Sequence, residues 1–547
     1  MFPRSELLRA YPIFLLEVTW GSYVYRFATK PVHLLDNGVY LPFVGHLDNP
    51  QYAEQSELLG LDIEEKSVPL ALYFSGVNIA LEEMRGNTIE GSKAELSYIL
   101  EDNVHTDYEE RVILAQGVIS QPIYGHPDRP VEYVECALES QNVINSTSLL
   151  NSINPRYTIN PDIDTDTSLN YDQLTEGKIL GLALGRFTFI DGFEIYTIPA
   201  YFYGRTASLQ NLFALFPHLS VSTTAKVKDS KGNQIDENIR FKTKRLESRF
   251  FTYASIADPN PNTLVNPLTN EEVEYWGFIE EGLPNPIGEG VLEGAGDVCI
   301  WALSNTGIDI DYDAWYNVRN FLNEYKVAGY LQSPDITGLE FIQQELLPYL
   351  PIEIVQGNNG LSPRLNLMAS AGVVLPTEHI TAGAVFFRTG PVLPLTEPQD
   401  ICNAVKVRFA WQGRTQAYFG IIDIGPDQAA EQVLSNEVID QYSIISVSKY
   451  GLKRKTIELN FVYDYATAAR IAQEYIRFNS MPRLGITYKA VGYYGWLQVG
   501  DIIELTDSDI SIDRQKAQIV SKRWQETHWE FVLELEINHI SNEKRLI

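Results

Sequence analysis

The sequence predicts a β-rich α+β protein of several domains. Three observations predict it. The chain has 547 residues, enough for about three to five domains at roughly 100–200 residues each. Short runs of β-branched and aromatic residues, separated by Gly, Pro, Asn and Asp, recur along most of it. Helical periodicity is confined to a stretch near 294–350 and another near 466–476. Hydrophobic residues make up 45% and charged residues 21%, so core material is ample.

Residues 1–150 read as the first β domain. Phe14-Leu-Leu-Glu-Val-Thr-Trp20 and Tyr23-Val-Tyr-Arg-Phe27 flank Gly21-Ser22, a Gly-X pair that predicts a type II′ hairpin. Strands are expected at Leu61–Glu64, Val68–Phe74, Ala94–Leu100, Arg111–Gly117 and Val131–Cys136, with a helical turn at Asn78–Met84. Short strands at this spacing argue for a barrel or sandwich.

Asn, Ser, Pro, Asp and Thr dominate from Asn145 to Asp172, a polar connector marking a boundary. Residues 151–295 read as a second β-rich domain. Gly177–Phe187 and Tyr196–Gly204 suit strands and turns in close approach, and Ser220–Lys228 with the turn Asp229-Ser-Lys-Gly-Asn suits an inserted hairpin. Residues 257–295, rich in Pro, Asn and Gly, are expected to form long surface loops.

Residues 296–398 read as a small α/β domain. Gly296–Leu303 leads into Asp311–Tyr325, where Trp315, Val318, Phe321 and Leu322 keep helical spacing. Thr337–Leu350 reads as another helix, with Leu339, Ile342, Leu346 and Leu350 on one face and Pro348 where a stop belongs. Ile352–Val355 follows as a strand.

Residues 399–547 read as a C-terminal β domain with one helix. The strand Asn403–Arg408 is followed by Phe409-Ala-Trp411, the strand Thr456–Val462, a helix on Ala466–Ile476, and Trp496-Leu-Gln-Val-Gly500-Asp501. A hairpin from Ala517 to Ile537 closes it. Trp529, Phe531, Leu533, Leu535 and Ile537 share one face of its last strand; Glu530, Glu534 and Glu536 share the other, predicting a half-buried strand.

Composition narrows the function. The formal net charge of −29 gives no general affinity for nucleic acid, which needs clustered Lys and Arg. The dense basic runs, Lys453-Arg-Lys455 and Lys522-Arg523, are short. Acidity suits either a conduit wall that repels DNA or solubility alone. Cys136, Cys299 and Cys402 are odd in number and far apart, so they read as buried thiols, not a disulfide frame or zinc site. The apolar run Ile13-Phe-Leu-Leu16 is short and meets Glu17, so neither a signal peptide nor a membrane span is expected, and the chain is expected to fold in a cytoplasm. Tyr, at 31 residues, suits interfaces.

No catalytic, cofactor or metal site is predicted. Among 71 Asp plus Glu, acid pairs arise by chance and no motif marks one for glycoside hydrolysis. His33, His46, His126, His218, His379 and His528 stand apart from any ligand set. No Gly-x-Ser-x-Gly elbow or phosphate loop occurs, since Gly177-Lys178 lacks the Gly spacing and the hydroxyl. Gly288-Glu-Gly290 reads as a flexible loop. Asp162-Ile-Asp164-Thr-Asp166 alternates like a calcium loop, but Thr167 replaces the glycine and Gln173 the bidentate Glu. Asp309, Asp311 and Asp313 fit a helix start better, and Asp507-Ser-Asp509 repeats the alternation.

The order of parts from Cys402 to Ile537, and the helix–turn–helix–strand order of 296–355, resemble those of bacteriophage tail-tip and baseplate hub proteins. Val18–Phe27 is similar to the opening hairpin of their tube-like domain, and Leu182–Phe187 with Ile198-Pro199 to a second hub domain. The resemblance implies tube-like barrel or sandwich modules at both ends of the chain with a small α/β unit between them. It implies a homotrimer in the virion tail tip, assembled in the host cytoplasm, whose pseudo-sixfold ring closes the tail tube around a DNA exit channel. Implied partners are a tail tube or distal tail protein and other tail-tip, fibre or spike proteins, with DNA passing unbound. Because the chain stops ten residues after its last strand, receptor recognition is expected to lie in docked partners. The alternatives are a tail-associated cell-wall or capsule polysaccharide hydrolase, and a carbohydrate-binding adhesion protein.

Overall fold

A computed structural model describes residues 11–55, 67–101, 107–125, 132–139, 149, 169–171, 181–187, 197–206, 210–216, 227–229, 240–246, 249–257, 275–278, 281–305, 309–333, 335–357, 360–367, 376–413, 416–425 and 444–535. The chain is β-rich, with few helices and two curled sheets facing each other.

The first sheet begins with the hairpin Pro12–Trp20 and Tyr23–Ala28, with Trp20 opposite Tyr23. Gly21 sits at φ +61° while Ser22 keeps a negative φ, as a type II′ turn requires. The sheet continues through Lys93–Leu100, Val112–Tyr124 and Tyr133–Glu139 to Ser67–Tyr73, all antiparallel. Pro69 lies in this last, edge strand, where a missing N–H is tolerated. The expected helical turn is Ile79–Met84, capped by the Asn78 side chain.

Within Pro12–Trp20, residues 13–16 are buried on both faces. Phe14, Leu16 and Val18 enter the core shared with the C-terminal sheet. Ile13 and Leu15 pack on the opposite side against Leu34 and Phe43 of a second hairpin, Val32–Asp36 and Val39–Phe43. Cover on both faces explains the unbroken apolar run at 13–16.

The C-terminal sheet contains His379–Thr381, Ile502–Asp507, Ile512–Gln525, His528–Leu535, Leu484–Ala490 and Phe386–Arg388. It also takes in a strand from the other end of the chain: Ala53–Gln55 pairs antiparallel with Ser521–Arg523. Phe14 and Tyr98 of the first sheet meet Trp529 in one aromatic cluster, with Trp524 edge-on to Phe14 at 5.4 Å. Segments some 500 residues apart therefore share one core.

A second large core is centred on the helix Ala295–Ser304, buried along nearly its whole length. Around it lie Tyr312–Leu322, the hairpin Ile352–Gly357 and Gly360–Leu365, the helix Tyr465–Asn479, and a three-stranded sheet of Ala417–Ile424, Ala404–Gln412 and Arg454–Glu458. Residues 399–547 thus supply two cores: Val405, Phe409 and Ile471 belong to this one, while Ile486, Ile519 and Phe531 belong to the core shared with the first sheet. A small apolar contact of Leu367 and Ile502, with Phe321, Leu365 and Phe478 beside it, lies where the cores meet.

A separate antiparallel sheet runs in the order Val227–Asp229, Tyr275–Phe278, Thr197–Thr206, Gln210–Phe216, Arg249–Ala257 and Arg240–Leu246, with Leu169–Tyr171 beside Thr197–Thr206. The inserted hairpin expected at 220–233 is described only at Val227–Asp229, and its pairing there is with Tyr275–Gly277; the turn lies outside the described residues.

Four expectations change. Within 257–295, Tyr275–Phe278 is a strand rather than loop, and Val291 and Leu292 are buried. The Gly288–Gly290 loop is pinned: Asn285 N–H donates to the Gly290 carbonyl at 2.8 Å, and the Asn285 side chain donates to Asp297 at 2.7 Å. Thr337–Leu350 is not one α-helix. A capping box of Thr337 and Glu340 starts a short α-turn, Gly338–Phe341, which widens into a π-turn over Ile342–Leu346. Pro348 follows after Leu347; it has no N–H and its ring crowds the preceding turn, which favours the widening. Finally, Glu534 is buried rather than solvated, because Arg483 lies against that side of the strand, 3.4 Å away.

Candidate interaction surface

The acids singled out in the sequence are placed by local backbone needs. Asp311 caps the helix Tyr312–Leu322, accepting from the Ala314 N–H at 3.0 Å, and Asp313 lies in its first turn. Asp507 is buried; it accepts from the Tyr488 hydroxyl at 2.7 Å and the Asp509 N–H at 3.0 Å, with Arg388 3.5 Å away. Asp162, Asp164 and Asp166, like Gly177-Lys178, His126 and His218, lie outside the described residues. Among the described residues, no group of three or more His, Cys, Asp or Glu is placed to hold a metal ion. No described helix is long and apolar enough to cross a membrane.

The three thiols are buried. Burial pushes Cys136 up to about 12 and raises Cys299 and Cys402, which keeps them protonated and unreactive. His379 Nε2 lies 2.9 Å from Thr506 Oγ1, and His528 opens the last strand opposite Gln525.

Several buried acids hold the frame. Asp297, at the first turn of the central helix, pairs with Arg319 and accepts from the Asn285 side chain at 2.7 Å, while its own N–H donates to the Asn323 side-chain oxygen at 3.0 Å. Burial raises the Asp297 carboxyl, but hydrogen bonds from Arg319, Asn285 and Asn323 outweigh it and hold the group below its ordinary value. Burial raises Glu345, on the π-turn, and a hydrogen bond from Asn460 at 3.1 Å only partly offsets it. Burial likewise raises Glu534 against the opposing pull of Arg483.

The exposed chemistry is different. On the outer face of the three-stranded sheet, Arg408 lies between Ile421 and Glu458, and Lys406 between Asp423 and Thr456. Arg408 pairs with Glu458 at 2.9 Å and Arg454 with both oxygens of Asp423 at 2.8 Å. Lys406 makes no ion pair among the described residues. Beside these cations, Phe419 and Ile421 are 49% and 53% exposed. They project outward because Ala417–Ile424 alternates, with Gly420, Ile422 and Ile424 facing the core. The basic run 453–455 was visible in the sequence; its meeting with Lys406, Arg408, Phe419 and Ile421 on one face was not, since it depends on the parallel pairing of Ala404–Gln412 with Arg454–Glu458.

A second exposed cluster lies on the hairpin of Val32–Asp36 and Val39–Phe43. Val39 and Tyr40 follow its Asn37-Gly38 tip and are 62% and 63% exposed. A parallel bridge from Leu35 to Asp107 brings exposed Asp107, Glu109 and Glu110 alongside.

The fold is β-rich and multi-domain. No protein-family model and no curated protein matches the chain. Among solved structures, it is similar to the 43 kDa tail protein of prophage MuSo2 from Shewanella oneidensis, with 8% identity over 96% of this chain and 98% of that one, TM-score 0.36. It is also similar to a chain in the virion of a native gene transfer agent particle, with 12% identity over 72% and 91%, TM-score 0.39. A third similarity is to prophage tail protein gp18 from Listeria monocytogenes EGD-e, with 11% identity over 65% and 92%, TM-score 0.27.

Proposed function

We propose that this chain is a structural hub of a phage tail tip or baseplate. Three copies form a ring that closes the tail tube, frames the DNA exit channel and gives other tail-tip proteins a platform. The units are 1–150 and 399–547 as tube-like modules, 151–295 as a second hub domain and 296–398 as the α/β unit, with 399–547 reaching into both large cores.

The observation that carries the reading is the joint core of the first and last β segments, sealed by the Ala53–Gln55 and Ser521–Arg523 pairing. A scaffold under load gains from tying distant parts of its chain into one sheet system. The sequence resemblance supplies the kind of scaffold, and the acidic balance suits a wall that does not hold DNA. Asp311 caps a helix, and Asp297, Asp507 and Glu534 each lie against an arginine, which supports a structural reading over the hydrolase alternative.

Gold-labelled antibodies against this chain, imaged on intact particles by electron microscopy, test the placement. Label at the free end of the tail is expected. Label on the capsid or along the tube contradicts it.

A further inference from the structure

We infer that the outer face of the three-stranded sheet docks onto the Val32–Phe43 hairpin and the adjoining 107–110 turn of a second copy of this chain. This deepens the ring reading and rests on it, by naming the two faces that meet. One face carries Lys406, Arg408 and Arg454 beside exposed Phe419 and Ile421. The other carries Asp107, Glu109 and Glu110 beside exposed Val39 and Tyr40. Both pair an apolar patch with charge, and the charges are opposite.

The sign of the charge selects the occupant. The chain has 71 acidic against 42 basic residues, so a cationic face is the exception on it and is attracted to other copies. On the first face, Asp423 and Glu458 are each held by an arginine, which leaves Lys406 to meet a partner's carboxylate. On the second face, the nearby cation Arg111 is engaged: it binds Glu95 at 2.7 Å and stacks on Tyr108 at 3.8 Å. Met by its own image, this face sets the Lys406 charge against a second Lys406, whereas the hairpin face offers it carboxylates. The contact is therefore head-to-tail between two different faces, and such contacts build rings or filaments instead of twofold dimers.

The test measures the mass of full-length protein by light scattering over a concentration series at low salt. Wild type is compared with Lys406→Glu, Phe419→Ser, Glu109→Lys, the Lys406→Glu/Glu109→Lys pair and the exposed control Met84→Ser, each with a thermal melt to verify folding. Expected is association in wild type and the control, weakened about tenfold or more by each of the three single interface changes. The charge-swapped pair regains association, and added salt weakens wild type. If wild type assembles and folded Lys406→Glu and Phe419→Ser assemble equally well, this contact is wrong while the ring reading stands. If those variants fail to assemble but the swapped pair regains nothing, the acidic hairpin is the wrong partner surface and the inference fails. A wild type that stays monomeric throughout overturns the contact and the ring together.

Discussion

The Lys522 ammonium donates to the Gly495 carbonyl at 2.6 Å inside the core that joins the first and last β segments. Lys522 is 1% exposed, and its charge sits 4.7 Å from the Trp529 ring centre and 5.3 Å from that of Tyr52. A buried cation between two aromatic faces and a carbonyl is stabilised by ring quadrupoles and a charge-assisted hydrogen bond. Tyr52 adjoins the Ala53–Gln55 strand and Trp529 lies in the last hairpin, so this one side chain spans the seam.

Lys522→Ala should lower unfolding stability by about 3 kcal/mol, since it empties a buried site and leaves a carbonyl unpaired. Lys522→Met, which refills the volume, should lose less than Lys522→Ala. Urea unfolding of the two variants checks this; equal losses would mean the packing of the stem contributes nothing.

Two glycines should respond very differently to alanine. Gly185 has φ +80°, and a Cβ there would run into the Val327 carbonyl and the Ala328 backbone. Gly21 has φ +61° with nothing within 4 Å of that position. Gly21→Ala should cost about 1 kcal/mol, the left-handed penalty alone. Gly185→Ala should cost about 3 kcal/mol or more, because backbone must move as well. Melting temperatures of both variants decide it, and similar shifts would refute the close approach at Gly185.

Asp297 should give an acid-dependent contribution. Its carboxyl is held low in the folded chain, so its stabilisation is complete above the ordinary Asp value of about 3.9 and fades as pH falls below that. Asp297→Asn should cost about 2–3 kcal/mol at neutral pH by leaving Arg319 unpaired. The gap between wild type and variant should narrow below about pH 4. A gap that stays constant across that window in denaturation curves would show that the charge is not the source.

Unfolding should occur in more than one step. Two large cores meet around the Leu367–Ile502 contact, where Arg364 donates to Gln498 at 2.8 Å and lies 3.8 Å from Asp501, the Leu367 N–H donates to the Gln518 side chain at 3.3 Å, and Arg483 stacks on Phe478. Each core is a separate buried cluster, so each is expected to unfold as its own cooperative unit. Calorimetry should show at least two transitions, and Trp315→Phe, within the core around Ala295–Ser304, should shift one of them. A single transition that moves as a whole would mean the cores are one cooperative unit.

The local parts of this fold were legible in the sequence, and the long-range parts were not. Gly21-Ser22 specified its hairpin, Asn78 and Asp311 their helix starts, and the alternation from Trp529 to Leu535 its inward face. Each signal rests on neighbours within a few residues. What covers a face is set elsewhere in the chain. Nothing near Glu534 announces Arg483, and nothing near Ala53 announces Ser521. The Lys406 and Arg408 surface was hidden for the same reason: its rows are assembled from three separate strands. The widened turn before Pro348 was missed because an α and a π turn place nearly the same residues inward.

The most direct test of the hub account is the mass of the purified full-length protein by light scattering after gel filtration, with electron micrographs of the same peak. The account predicts three times the 61.9 kDa chain mass and rings with a central opening. A single-chain mass at every concentration, with compact particles and no opening, would contradict it.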